Sequence, residues 1–305
     1  MPTRRQFLAS AAALAAIPSS SILTAADPIV RTDKPFMKLS LAAYSFNKFL
    51  PSNRAASKTP PKMTLEQFVD YCASLDLEGT ELTSYYFPKE ITPAYLNALK
   101  GQTHRLGLDI SGTSIGNDFC LPDGPEREAQ LKLCRDWIDY SAALGSPVIR
   151  IFAGKVAKGD TEEKAVERCV AGIEKSLEYA AEKGVALALE NHGGITATPA
   201  QLLKIVKAVK PSPWFGINFD SGNFRTPDPY ADLEQIAPYA LNAQVKVTVT
   251  RGEGAKKEPA DFGRVVNILK AAKYRGYLAL EYEEPEDPWE TIPGLIKKLR
   301  GLIGG

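Results

Sequence analysis

Ala186-Leu187-Ala188-Leu189-Glu190 is an apolar run of strand length that stops on a carboxylate. The same pattern returns in Phe215-Gly216-Ile217-Asn218-Phe219-Asp220 and in Tyr277-Leu278-Ala279-Leu280-Glu281. Between those two lies Leu241-Asn242-Ala243-Gln244-Val245-Lys246-Val247, another short run with polar residues on alternate positions. An unpaired charge where a buried strand stops is expensive, so core packing does not account for these acids. Three carboxylates converging on one point repel one another unless a cation sits among them. The sequence therefore predicts a metal site at the ends of strands.

Outward from these segments, strand-like runs alternate with helical patterns. Strand candidates lie near Leu41, Leu82, Ile110, Ile149, Leu189, Phe219, Val245 and Leu280. They recur about every 34 residues, the size of a strand-plus-helix unit, and eight such units predict an α/β chain folded as a single-domain (β/α)8 TIM barrel over residues 38–305. Helix signals fill the gaps. Thr64 caps a run starting at Leu65 with Gln67 in the capping-box position, Thr198-Pro199 places proline at a first helical turn, and 161–183 carries apolar residues with helical period. Glycines at 107, 145, 184 and 276 stand where helices end and strands begin. Two insertions, Phe49–Lys62 and Asn117–Pro125, follow the first and third strands, on the face where barrels of this kind build active sites.

Thr3-Arg4-Arg5-Gln6-Phe7-Leu8 followed by an apolar stretch reads as a twin-arginine signal peptide over residues 1–26, with 27–37 as a linker. This predicts export to the periplasm or beyond. The apolar stretch is too short to span a membrane. Thirty-seven Lys and Arg against 36 Asp and Glu give a net charge of +1, which offers no basic excess to displace counterions from nucleic acid. The four cysteines, Cys72, Cys120, Cys134 and Cys169, have no CxxC spacing and read as small core residues. Nothing in the sequence sets the oligomeric state, and a homo-oligomer is compatible with it.

In barrel order, Glu190, Asp220, Gln244 and Glu281 all end at one mouth. An oxygen-rich donor set with one amide suits Mn²⁺ first, with Mg²⁺, Zn²⁺ or Co²⁺ as alternatives. Lys246 follows Gln244 by two residues and so points inward from the same strand, where it needs a carboxylate or a substrate oxygen and is a substrate-binding candidate. Arg150 raises the same question on the fourth strand, and Glu81 on the second is a candidate to pair with one of these cations. Arg251, in the loop after the seventh strand, is a weaker substrate-binding candidate. Aromatic residues near strand ends, among them Tyr44, Phe46, Tyr85, Tyr86, Phe87 and Trp289, are candidates for a carbohydrate platform or for packing.

Leu189-Glu190-Asn191-His192-Gly193-Gly194, Asp220-Ser221-Gly222-Asn223, Gln244-Val245-Lys246 and Leu280-Glu281-Tyr282-Glu283 resemble the motifs of the xylose isomerase-like TIM-barrel family of sugar phosphate isomerases and epimerases, over roughly residues 38–300. The resemblance implies Glu190, Asp220 and Glu281 as metal ligands, with Gln244 where the family has histidine and Asn223 where it has a second histidine. It also implies substrate contact by His192 and Asn223, a small carbohydrate as substrate, and Glu190 and Glu281 as the acid/base pair that moves a proton beside a carbonyl through an enediolate. Two alternatives stay open: a lyase that uses the same pair to expel the sugar substituent of a keto-glycoside by β-elimination, and a sugar-binding barrel without catalysis. The endonuclease IV branch of the same barrel needs a histidine-rich three-zinc cluster, which the two histidines here, His104 and His192, do not supply.

Overall fold

The computed structural model describes residues 27–54 and 60–304; the expected signal segment, 1–26, lies outside them. Eight parallel strands close into a barrel: β1 (Phe36–Ala42), β2 (Gly79–Thr83), β3 (Asp109–Ser114), β4 (Val148–Ile151), β5 (Ala186–Glu190), β6 (Phe215–Asp220), β7 (Ala240–Lys246) and β10 (Arg275–Glu281). A short hairpin, β8 (Thr248–Thr250) with β9 (Lys257–Pro259), sits between β7 and β10. Around the barrel run α1 (Leu65–Ser74), α2 (Pro93–Arg105), α3 (Pro125–Leu144), α4 (Glu162–Lys183), α5 (Pro199–Ala208), α6 (Pro229–Ile236), α7 (Phe262–Ala271) and α8 (Pro288–Ile303). All eight expected strand positions fall inside barrel strands. The first begins at Phe36, two residues before the expected barrel start, and the arm before it hydrogen-bonds at Pro238 and Ala240.

Helix ends follow the local chemistry. Thr64 and Gln67 form the reciprocal capping box of α1. Thr161 and Thr198 cap α4 and α5 through their hydroxyls. Gly145 and Gly184 close α3 and α4 in the left-handed conformation, at φ 80° and 70°, which a side chain would disfavour. Gly276 instead lies within β10. On α4, Ala165, Val166, Cys169, Ile173, Leu177 and Ala180 are all buried. Each large side chain among them contributes about 1.5–3 kcal/mol by leaving water. All four cysteines are buried and free. No helix among the described residues is long and apolar enough to cross a membrane.

Alternation divides each strand between two environments. Leu39, Leu41, Ile149, Ile151, Leu187, Leu189, Ile217, Phe219, Leu278 and Leu280 join the apolar core between sheet and helices. The intervening positions hold Glu81, Arg150, Glu190, Asn218, Asp220, Asn242, Gln244 and Glu281, all buried. That these face the barrel interior follows from their bonds. Asn242 and Gln244 on β7 reach Glu81 on β2, a strand that is not a neighbour in the sheet, so the contact crosses the lumen. Two register irregularities, at Thr80/Glu81 and Ile217/Asn218, fall on strands that carry these groups, where a bulge re-aims side chains.

The segment 117–124 after β3 is a fixed wall rather than a loose loop. Asn117 brackets Phe152 by accepting from its N–H and donating to its carbonyl, and Arg168 of α4 holds the Cys120 carbonyl. Gly154 lies under this wall at φ +117°, and a Cβ there would collide with Asp118. In the insertion after β1, Asn53 donates to the carbonyls of Ser84 and Phe87, and Arg54 lies over the Tyr85 ring at 4.0 Å.

Candidate functional site

Every expected site residue except Arg251 comes from the C-terminal end of a barrel strand or the turn just beyond it, so the barrel gathers them at one mouth. Glu190 and Asp220 are 3% and 0% exposed, and Gln244 and Glu281 are buried as well. They form two charged clusters joined by a ring of amides.

The first cluster centres on Glu190. Arg150 Nε lies 2.8 Å from its Oε2, and Asn223 donates to its Oε1 at 2.9 Å. The Arg150 guanidinium is fixed in turn by the Ile115 carbonyl, 2.6 Å away, and by the Phe152 ring beneath it. Burial drives Glu190 well above the usual carboxylate range, although Arg150 pulls the other way. His192 stands at the rim with its ring packed 4.1 Å from that of Phe152, and its backbone N–H donates to the Thr196 hydroxyl. Packing of the ring, with the nearby Arg150 charge, lowers its pKa and favours neutral imidazole.

The second cluster centres on Lys246. Its ammonium lies 2.8 Å from Glu281, 3.5 Å from Asp220 and 2.5 Å from Glu283. Burial opposes this charge, yet the acids around it raise the lysine well above its ordinary value. Asp220 is pushed up to about 7, mainly by burial. Its Oδ1 accepts from the Gly222 N–H, while its Oδ2 has no hydrogen-bond donor.

Between the clusters runs a closed ring. Gln244 donates to Glu81 at 2.6 Å, Asn242 donates to Glu81 and to Asn218, and Asn218 donates to Gln244 at 2.7 Å and more weakly to Glu190 at 3.4 Å. An ionised Glu81 can only accept, so it fixes the direction of every amide in the ring. The expectation that Glu81 pairs with a cation gives way to this arrangement, in which two amides hold it. Burial pushes Glu81 up to about 7. Asn218 and Asn242 were not among the expected site residues. Each lies two residues before an expected one, Asp220 and Gln244, and strand alternation puts them on the same inner face.

Arg251 is not brought to the mouth. It is exposed, and its guanidinium lies 2.6 Å from Glu258 on the hairpin and near Asp228. Among the aromatic candidates, Phe46, Phe87 and Trp289 pack edge-on with other rings as part of the core. Tyr44 instead borders the site, where burial and then Glu283 and Glu281 raise its hydroxyl pKa.

Do these residues fit a divalent ion? Among the described residues no three His, Cys, Asp or Glu side chains converge as a metal-holding group. The bonding gives the reason. Both Glu190 oxygens are taken by Arg150 and Asn223, Glu281 is on Lys246, and the Gln244 oxygen accepts from Asn218 while its NH₂ is anchored on Glu81. The donor set as bonded does not fit the expected four-ligand site.

The comparisons agree with the architecture. The profile of the xylose isomerase-like TIM barrel family matches residues 69–299. No curated protein is detectably similar to the chain. Among solved structures, a xylose isomerase domain protein from Planctomyces limnophilus superposes with a TM-score of 0.67 at 19% identity, covering 88% of this chain and 99% of that one. A D-psicose 3-epimerase, solved in the presence of D-fructose, gives 0.70 at 15% identity over 88% and 100%. A 3-keto-D-glucoside 4-epimerase from E. coli gives 0.66 at 14% identity over 87% and 99%. With its closed eight-stranded barrel and the family profile running from α1 to α8, the chain belongs to the xylose isomerase-like TIM-barrel family.

Proposed function

We propose that this barrel is a sugar isomerase or epimerase that moves a proton on the carbon beside a carbonyl. The observation that carries this reading is the pair Glu190 and Glu281: two buried carboxyls on strands three places apart in the ring, each held by its own internal cation. One takes the proton from carbon, the C–H electrons pass to the carbonyl oxygen as an enediolate, and the other returns a proton to the substrate. Burial drives Glu190 toward its proton-holding form, which suits it as donor. Arg150 and Lys246 bring positive charge to the mouth where the oxyanion develops. Asn223 and His192, at the rim, would contact substrate hydroxyls.

The substrate class is a ketose or keto-glycoside. The twin-arginine pattern supports export, where sugars without phosphate are met. The resemblance implies a divalent ion, Mn²⁺ first. Because the donors as bonded do not fit one, no step here passes through it. Incubating the protein with free ketohexoses and with 3-keto-glycosides, and following products by NMR, tests the reading. Epimer or aldose formation that fails in Glu190→Gln and Glu281→Gln supports it. Release of the sugar substituent would point to β-elimination by the same pair, and no turnover of either class would leave a binding barrel.

A further inference from the structure

We propose that Lys246 is the resident cation of this mouth: its ammonium holds Asp220, Glu281 and Glu283 in the place where a divalent ion would organise them, so the site balances its acids from within and takes up no divalent metal with useful affinity. The inference concerns the site of the proposed reaction, but its test needs no substrate.

Three observations carry it. The first is the contact set of the ammonium, with three carboxylates at 2.5, 2.8 and 3.5 Å. The ammonium donates to Glu283 and lies in ion-pair contact with Glu281 and Asp220, so three acids share one internal positive charge. The side chain is only 12% exposed, so the ammonium is held among the acids rather than left in solvent.

The second is a seat built for the lysine stem. Gly222 follows Asp220 by two residues, and a Cβ there would lie 2.6 Å from Lys246 Cβ and 2.7 Å from its Cγ. Only glycine lets the stem pass this close to the turn that carries Asp220. Ser221 completes the seat by accepting from the Lys246 backbone N–H at 2.8 Å.

The third is the third ligand position. Gln244 offers a neutral amide oxygen, and that oxygen is engaged by the Asn218 amide while the Gln244 NH₂ is anchored on Glu81. Turning the oxygen toward a metal would cost the buried Asn218 amide its Gln244 acceptor and Glu81 one of its two amide donors. A divalent ion would thus have to expel a paired ammonium and break the amide ring.

The experiment compares wild type with Lys246→Met, each stripped with a chelator and dialysed. Mn²⁺ binding is read by isothermal titration and by thermal unfolding with and without 1 mM Mn²⁺. Wild type is expected to bind less than about 0.1 ion per chain and to shift by less than about 1 °C. Lys246→Met, with three acids left unbalanced, is expected to gain Mn²⁺-dependent stabilisation of about 5 °C once the ion is in about 100-fold excess over its Kd. Stoichiometric Mn²⁺ binding by wild type overturns the proposal, and so does a folded Lys246→Met that ignores Mn²⁺ as wild type does. Should Lys246→Met not fold, Glu283→Gln replaces it: with one acid fewer, it must remain as indifferent to Mn²⁺ as wild type, and a gain of binding overturns the proposal.

Discussion

Gln244 on β7 donates across the barrel lumen to Glu81 on β2, with 2.6 Å between Nε2 and Oε1. This one bond sets the orientation of the carboxamide that stands at the expected third ligand position, and it ties the amide ring to the opposite wall. Removing the acceptor by Glu81→Ala leaves the Asn242 and Gln244 amides without their carboxylate. The expected loss is about 2–4 kcal/mol in urea unfolding, with the m-value unchanged.

Glu81 also makes stability depend on pH. Burial pushes it up to about 7, against about 4.3 in an unfolded chain. Between these values the folded protein binds more protons than the unfolded one, so stability falls as pH rises through this window and the full contribution is present only below it. Unfolding at pH 5 and pH 8 is expected to show a larger loss for wild type than for Glu81→Gln, by up to about 3 kcal/mol. Equal losses would contradict the burial argument.

Arg150→Met leaves Glu190 buried without its ion-pair partner. Breaking one partner of a buried pair costs about 3–5 kcal/mol, more than the pair contributes net. Arg150→Lys restores the charge but not the stacking on Phe152 or the forked reach to the Ile115 carbonyl, so it is expected to recover only part of the stability. Thermal unfolding of the two variants side by side checks this.

All four cysteines lie in the core. A thiol reagent added to the native protein is expected to label none of them over minutes, and to label four per chain after unfolding without reductant. A count of two after unfolding would mean that a disulfide had formed.

Much of this was legible in the sequence because it depends on period and position. Eight apolar runs at strand spacing fixed the barrel, and strand-end polarity located Glu190, Asp220, Gln244 and Glu281 at one mouth. Partner choice was not legible. Arg150 and Lys246 could be seen to need a carboxylate or a substrate oxygen, but which group each takes depends on how strands distant in sequence approach across the lumen. Lys246 turns to Asp220 and Glu281, two of the three acids expected to hold a metal, and to Glu283, while Glu81, expected on a cation, is satisfied by amides. Asn218 and Asn242 could have been found by stepping back two residues along β6 and β7. Arg251 misled because a loop position says little about where a long side chain settles, and a hairpin of its own supplies the Glu258 partner.

The central claim is proton transfer at the carbon beside a carbonyl by Glu190 and Glu281. Turnover of the identified substrate in D₂O, followed by NMR and mass spectrometry, tests it most directly. Wild type is expected to place solvent deuterium on that carbon, and Glu190→Gln and Glu281→Gln to slow its appearance at least about 100-fold while remaining folded. Product formed without any deuterium on carbon, or deuterium entering at the wild-type rate in both variants, would contradict the account.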